Sequence, residues 1–139
     1  MNFKKTVYTV QAIVQAWDAG SLTRNPEYQR GEAWTLQQKQ ALIDSLFRKY
    51  PIPALFLEKK IMKGLGGKDS EKFEIVDGQQ RVLSMAGFRN GSFELLAPED
   101  KKLRLPLSLR SIPVAWAKRT YSSLDETLKN RIDSTEIDI

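Results

Sequence analysis

Apolar residues recur at helical spacing near the start of the chain. They lie three or four positions apart and so share one face of a helix: Val10, Ile13, Val14 and Trp17. Thr9 is a favourable N-cap residue and Gly20 is typical of a helix end, so we predict a helix from Val10 to Ala19. The following segment, Ser21–Gly31, is polar and contains Asn25-Pro26, which favours a loop with at most a short extended piece.

A second helix is predicted to follow Thr35. Thr35 and Gln38 have the spacing of a capping box, in which each side chain accepts a hydrogen bond from the other residue's backbone N–H. Pro51 and Pro53 are expected to end the helix, because proline lacks the amide hydrogen that a helix interior needs. The predicted apolar face consists of Leu42, Ile43, Leu46, Phe47 and Tyr50.

Short apolar runs in the middle of the chain predict strands around a further helix. Strands are expected at Ala54–Glu58, Phe73–Val76 and Ser92–Leu95. The segment Lys63–Ser70 is rich in Gly, Lys and Asp, and its glycines lack the spacing of a phosphate-binding P-loop, so it predicts an exposed hairpin-type loop. The helix is predicted from Gln79 to Phe88, with an inner face of Val82, Leu83, Met85 and Ala86.

The C-terminal part of the chain predicts two more strands and one helix. Ile112–Trp116 is expected to be an edge strand because it contains a proline. Ser123 and Glu126 have capping-box spacing ahead of a helix from Leu124 to Ile132, and Thr135–Ile139 alternates like a strand. The chain therefore predicts one mixed α/β domain over residues 1–139. A strand that ends on the last residue indicates an N-terminal fragment of a longer protein.

Composition narrows the available chemistry. The chain of 139 residues has no Cys and no His, which excludes a disulfide framework, a thiolate nucleophile, an imidazole base and zinc sites built on these residues. A net charge of +5 weakly favours polyanionic partners. No segment approaches the roughly 20 apolar residues of a membrane span, so we expect a cytoplasmic location without membrane contact.

The segment Asp77-Gly78-Gln79-Gln80-Arg81 stands where a predicted strand meets a predicted helix. The first amides of a helix lack internal partners and, with the helix dipole, favour an anion. Gly78 permits close approach to the backbone, Gln79 and Gln80 offer amide groups, and Arg81 suits phosphate or carboxylate. Asp77 is suited to hold a metal ion, orient a water or pair with Arg81. A plainer interpretation, in which Asp77 only caps the helix and Arg81 is a surface residue, stays open from this segment alone.

A second polar group, Tyr28, Gln29 and Arg30, lies in the predicted loop ahead of Trp34. One interpretation is that these side chains contact the same ligand. The other is that Tyr28 and Trp34 pack together and that Arg30 stacks on Trp34. Both stay open when this group is considered by itself.

Together, the two groups resemble the DGQQR-domain family. The resemblance rests on Phe73–Arg81, which ends in the full pentapeptide, and on the upstream Asn25–Arg30 and Trp34 in the same order. Gln38–Ile52 matches the link between them, and the resemblance covers most of residues 9 to 95. That family in turn resembles the N-terminal domain of GmrSD-type, modification-dependent restriction enzymes. The chain departs from the pattern at Gly31-Glu32-Ala33, where family members often have an aromatic residue after the arginine, and this weakens the case for an aromatic contact there.

The resemblance implies a ParB/sulfiredoxin-like α/β fold, with a small mixed sheet flanked by helices. It also implies binding and hydrolysis of a nucleoside triphosphate (NTP) with Mg²⁺, in a regulatory domain of a DNA restriction or phage-defence protein. The residues that it assigns to catalysis are Asp77, Gln79, Gln80 and Arg81, with Asp77 also as the metal ligand. The residues that it assigns to nucleotide binding are Tyr28, Gln29, Arg30, Gly78 and Arg81.

Two other functions stay open from the sequence. One is a non-catalytic module that binds DNA or senses modified DNA through its basic surface, and the other is a ParB-like nuclease. Relatives in this family often continue into an HNH nuclease domain, and the absence of His excludes HNH chemistry from this chain. We therefore expect DNA contact through the full-length protein and a C-terminal nuclease domain beyond Ile139. The oligomeric state is left open.

Overall fold

The structure is a computed structural model that describes residues 6–24, 33–64, 66, 69–97 and 114–139. Within these residues the chain forms four α-helices, five strands and a short 3-10 helix. In chain order they are β1 (Val7–Thr9), α1 (Val10–Ala19), β2 (Leu22–Arg24), α2 (Leu36–Phe47), β3 (Phe56–Lys63), β4 (Asp69–Asp77), α3 (Gln79–Arg89), the 3-10 helix (Tyr121–Ser123), α4 (Glu126–Asp133) and β5 (Glu136–Asp138). The predicted mixed α/β class is confirmed.

The first helix has the predicted bounds. Thr9 Oγ1 accepts a hydrogen bond from the amide of Ala12 at 3.1 Å, as expected of an N-cap. Gly20 ends the helix with a φ of 80°, in the left-handed region that glycine adopts without steric cost. Val10, Ile13 and Val14 are buried, so this face of α1 belongs to the core.

Helix α2 begins as predicted but ends earlier. Both hydrogen bonds of the capping box between Thr35 and Gln38 are present. The helix ends at Phe47, and Lys49 has a φ of 62° that turns the chain before it reaches the prolines. Tyr50 therefore lies outside the helix and is 39% exposed, so its prediction as part of the buried face is wrong.

The main sheet has the strand order β2-β4-β3. Strand β4 pairs in parallel with β2 and antiparallel with β3, which makes the sheet mixed. Strand β3 starts later than the predicted Ala54–Glu58 and continues to Lys63, and β4 is longer than the predicted Phe73–Val76. Because β3 and β4 pair as far as Lys63 with Asp69, the hairpin-type connection is confirmed. Strands β1 and β5 form a separate antiparallel pair, and the C-terminal strand prediction is thereby confirmed.

The core lies between the three-stranded sheet and the helices. Its largest fully buried side chains come from the four α-helices, from strands β4 and β5 and from two connecting segments.

 The largest fully buried side chains of the core are Phe47, Phe88, Ile43, Leu46, Leu55, Ile75, Met85, Leu95, Ile132, Ile137, Val10 and Val14. Phe47 stacks on Trp116 at 4.9 Å between ring centroids, which ties α2 to the segment before the 3-10 helix.

One carboxylate is fully buried in this core. Asp44 accepts hydrogen bonds from Trp116 Nε1 and from Arg48 Nε, each at 2.7 Å. A buried charge is costly unless it is paired and hydrogen-bonded, and Asp44 meets both conditions. The Asp44 contacts therefore hold Trp116 and Arg48 in place.

Two predicted strands are wrong. Ser92–Leu95 forms no strand, and the described part of Ile112–Trp116 is a turn that begins at Ala115. Leu95 instead bonds to residues just after Trp116, because it donates its amide to Arg119 O and accepts from the amide of Lys118, both at 2.9 Å. These two hydrogen bonds satisfy the backbone of Leu95 without a ladder, so Leu95 is buried without belonging to a strand.

The last helix begins later than predicted. Asp125 caps α4 by accepting from the amide of Leu128 at 2.8 Å, so Ser123 as its cap is wrong. Ser123 instead closes a capping box with Thr120 around the 3-10 helix. Aspartate is at least as good an N-cap as serine, and it stands two residues further on.

A polar cluster joins the 3-10 helix to α3 and α4. Tyr121 donates its hydroxyl to Asp133 Oδ2 at 2.6 Å, and Arg89 forms an ion pair with Asp133 at 3.0 Å. Burial raises the pKa of the Tyr121 hydroxyl, and its hydrogen bond to Asp133 raises that pKa further.

Candidate functional site

The candidate site lies at one edge of the three-stranded sheet. Strands β2 and β4 are parallel, so their carboxyl ends, at Arg24 and Asp77, lie towards the same edge. The pairing of β4 with β3 becomes irregular there, since Phe56 pairs with Asp77 and Leu57 with Ile75, which leaves Val76 without a partner in β3. Such bulges redirect side chains and are frequent beside functional sites. Helix α3 starts two residues after β4 ends.

Gly78 forms the turn between β4 and α3. Its φ of 102° lies in a region that residues with a Cβ rarely adopt. A Cβ at this position would also overlap Leu55 Cδ2 and would lie 2.9 Å from Arg81 Nη2. Glycine is therefore required at position 78 for two reasons: the backbone conformation is left-handed, and there is no space for a Cβ.

Asp77 does not cap the helix. The cap position belongs to Gly78, and no side chain accepts a hydrogen bond there, so the plainer interpretation of Asp77 as an N-cap is wrong. Its side chain is 69% exposed, and Oδ2 lies 3.8 Å from Arg81 Nη2. At this distance and exposure the ion pair is weak, and the carboxylate stays accessible to a ligand or metal ion.

Arg81 is largely buried rather than a surface residue. Only 13% of its side chain is exposed, and Nη2 donates to the backbone oxygen of Ala54 at 3.1 Å. Its Nε is buried and has no hydrogen-bond acceptor in the described part of the chain. The guanidinium thus holds the segment before β3 in place through Nη2, and its Nε–H remains a donor without an acceptor among the described residues.

The side-chain amide of Gln79 has a fixed orientation. Its Oε1 accepts from Arg24 Nη2 at 3.1 Å. Since arginine is only a donor, the oxygen must face Arg24 and the NH₂ group must face the other way. That Nε2 is buried and has no acceptor among the described residues.

The side-chain amide of Gln80 also has an orientation that follows from its hydrogen-bond partner. Its Oε1 accepts from the backbone N–H of Trp34 at 3.1 Å. A backbone amide is a donor, so the oxygen is again engaged and the NH₂ group is left to donate elsewhere. In both Gln79 and Gln80 the side-chain oxygen is engaged within the protein, and the NH₂ group is the remaining donor.

These residues surround an open cavity of ≈ 390 Å³. Its lining consists of Trp34, Val76, Asp77, Gly78, Gln79, Gln80 and Arg81. The free amides at the start of α3, the NH₂ groups of both glutamines and Arg81 Nε are all hydrogen-bond donors. Among the described residues of the lining, Asp77 is the only acidic one. A surface of this kind favours a multiply charged oxyanion.

Nearly the whole chain matches a known protein family. A family model described as the GmrSD restriction endonuclease, N-terminal domain, matches residues 10–138. The chain belongs to this family. No curated protein and no solved structure matches it.

In this GmrSD N-terminal domain, the second predicted group, Tyr28, Gln29 and Arg30, lies outside the described residues. The residues on either side of it are described. Arg24 bonds to Gln79 and Trp34 bonds to Gln80, so both flanks are attached to the start of α3.

Arg24 was not predicted as a site residue of the GmrSD domain. Its signal in the sequence is slight, since it stands in a polar segment directly before Asn25-Pro26. Only the parallel pairing of β2 with β4 brings its guanidinium to Gln79, 55 positions along the chain. A contact this distant in sequence has no local pattern.

Within the described residues of the GmrSD domain, no group of three or more Asp or Glu side chains is placed to hold a metal ion. A lone carboxylate at Asp77 fits Mg²⁺ only when phosphate oxygens and water supply the remaining ligands, as is usual for Mg²⁺. None of the described helices is long and apolar enough to cross a membrane.

Proposed function

We propose that this domain binds a nucleoside triphosphate with Mg²⁺ and hydrolyses it, as a regulatory domain of a DNA restriction or phage-defence protein. Membership of the GmrSD N-terminal family supports the restriction role. The observation that carries the nucleotide is the donor surface at the start of α3. Both glutamine oxygens accept from donors of the protein, which leaves the NH₂ groups as the side-chain donors for a ligand.

The triphosphate is the ligand that suits this surface best. Helix amides, amide NH₂ groups and a guanidinium bind phosphate oxygens through charge-assisted hydrogen bonds. Gly78 lets the phosphates approach the backbone without a side chain in the way. The arrangement of strand, glycine and helix also supports the ParB/sulfiredoxin-like comparison. In this proposal Gly78, Gln79, Gln80 and Arg81 hold the phosphates.

Asp77 has a separate role in the proposal. It is the exposed acidic group of the cavity, and it would hold Mg²⁺ together with phosphate oxygens. Bound Mg²⁺ neutralises charge on the phosphates, and positioning and electrostatics supply most of the catalysis in phosphoryl transfer. The glutamines would position the phosphates as donors.

Tyr28, Gln29 and Arg30 belong to the proposal as further nucleotide contacts. Their support is the attachment of both flanks of this segment, Arg24 and Trp34, to the first residues of α3. Arg30 would add positive charge for the phosphates.

The experiment measures nucleotide-dependent thermal stabilisation and phosphate release with each of the four NTPs and Mg²⁺. We expect at least one NTP to raise the melting temperature and to release phosphate. Asp77→Asn removes a charge from an exposed side chain, so it should leave the fold intact and abolish Mg²⁺-dependent release. No stabilisation by any NTP would refute binding. Unchanged release in Asp77→Asn would refute the assigned role of Asp77.

The salt dependence of DNA binding distinguishes the alternative function, a DNA-binding module, from the proposed nucleotide-binding function. A module that binds duplex DNA directly would do so without nucleotide, and its affinity would fall steeply as salt is raised. The net charge of +5 is the observation that favours it. We expect the isolated domain to show nucleotide binding in conditions where duplex DNA binding is weak.

A further inference from the structure

A second cavity lies beside the phosphate site. It has a volume of ≈ 290 Å³ and lies between the end of α1 and strand β2. Its lining consists of Trp17, Gly20, Leu22, Thr23 and Arg24. Leu22 is buried, Trp17 is half-buried against the core, and none of the lining residues that the structure describes is acidic.

Arg24 connects the two cavities. It lines the second cavity, and its Nη2 donates to Gln79, which lines the first. The Arg24–Gln79 hydrogen bond therefore joins the linings of the two cavities.

The second cavity has the features of a site for a flat ring. Trp17 supplies an aromatic surface, and stacking of bases on aromatic side chains is a common and sequence-tolerant mode of nucleotide binding. Gly20 has no side chain, and no atom lies within 4 Å of the position that its Cβ would occupy, so the space beside it is open. Thr23 and Arg24 provide polar groups at the rim.

We propose that this cavity receives the base of the nucleotide whose phosphates bind at the start of α3. Trp17 stacks on the base, and Arg24 lies between base and phosphates. This inference rests on the proposed function, and it adds the residues that distinguish a nucleotide from a bare polyphosphate.

The experiment compares two ligands by calorimetry, an NTP with Mg²⁺ and inorganic tripolyphosphate with Mg²⁺. Trp17→Leu removes the aromatic surface. Gly20→Asn places a side chain in the open space, and asparagine tolerates the left-handed φ of 80°. Gly91→Asn is the matched control, because Gly91 has a φ of 81° and open space but lines neither cavity.

We expect Trp17→Leu and Gly20→Asn to weaken NTP binding about tenfold, or about 1.4 kcal/mol, and to leave tripolyphosphate binding unchanged. Gly91→Asn should change neither. Unchanged NTP affinity in both cavity variants would overturn the inference while leaving the phosphate site intact. An equal loss for both ligands would also overturn it, since the effect would then be structural. If wild-type protein bound neither ligand, the proposed function itself would fail.

Discussion

The donor surface at the start of α3 can be tested by a substitution that changes almost no volume. Gln79→Glu keeps an oxygen for Arg24 and replaces the buried NH₂ group with a second carboxylate oxygen. The new charge lies next to Arg24, so the fold should be retained or slightly stabilised. The variant therefore replaces a hydrogen-bond donor at residue 79 with an acceptor and preserves the contact between residue 79 and Arg24.

The expected loss of affinity has two parts. Removing one hydrogen bond to a charged group costs about 1.5–3 kcal/mol. A carboxylate oxygen about 4 Å from a phosphate charge adds about 4 kcal/mol at an effective dielectric constant of about 20. The guanidinium of Arg24, 3.1 Å from Gln79 Oε1, offsets part of this repulsion, and the open cavity allows screening by salt. A net loss of about 3 kcal/mol, roughly 150-fold in affinity, is our expectation.

Isothermal titration calorimetry with tripolyphosphate and with an NTP measures this loss directly. Gln15→Glu is the control, because it makes the same change of charge at an exposed position of α1. It should bind both ligands almost as wild type does. If Gln79→Glu bound as tightly as Gln15→Glu, Gln79 would not donate to the ligand, and the donor argument for the site would be wrong.

The remaining predictions concern stability. Gly78→Ala should lower the free energy of unfolding by about 3 kcal/mol or more, since it combines backbone strain with overlap against neighbouring atoms. Gly91 also has a positive φ but open space around its Cβ position, so Gly91→Ala should lower the free energy of unfolding by only about 1 kcal/mol. Tyr121→Phe should destabilise the protein by about 1–2 kcal/mol at pH 8, because Asp133 loses a buried donor. The raised pKa of Tyr121 means that its contribution is complete below pH 10, the ordinary value, and is lost as the pH rises through the higher folded value.

Urea denaturation at several pH values checks both stability predictions. Equal losses in Gly78→Ala and Gly91→Ala would show that the close packing around Gly78 is not what makes glycine necessary. For Tyr121→Phe, the difference from wild type should be constant below pH 10 and should shrink as the pH is raised above 10. A difference that stayed constant over that range would contradict the assigned effect of the Tyr121 hydroxyl on stability.

The sequence predicted those elements whose signals are local. The capping box of Thr35 and Gln38 and the glycine at position 20 each act within a few residues, and both are present as predicted. Ser92–Leu95 and Ile112–Trp116 were predicted as strands from apolar composition. Composition indicates burial, but a strand also needs a partner, and Leu95 forms two isolated backbone hydrogen bonds with Lys118 and Arg119 instead of a ladder.

The candidate site was predicted in its sequence position but not in its contacts. The motif from Asp77 to Arg81 does lie at a strand-to-helix turn beside a cavity. Its sequence could not show that Gln79 bonds to Arg24, that Gln80 bonds to the Trp34 backbone, or that Arg81 is folded onto the segment before β3. Each of these contacts depends on tertiary structure.

The two glutamine contacts have a consequence for how binding and folding are linked. Arg24 and Gln79 are 55 positions apart, and Trp34 and Gln80 are 46 apart, so the site exists only when these distant segments are packed together. A ligand that binds only the assembled site stabilises the domain by mass action, by about 2.7 kcal/mol at a concentration 100 times its dissociation constant. Slowed hydrogen exchange would then extend to core amides far from the cavity, so nucleotide supply would set how long the folded domain survives proteolysis.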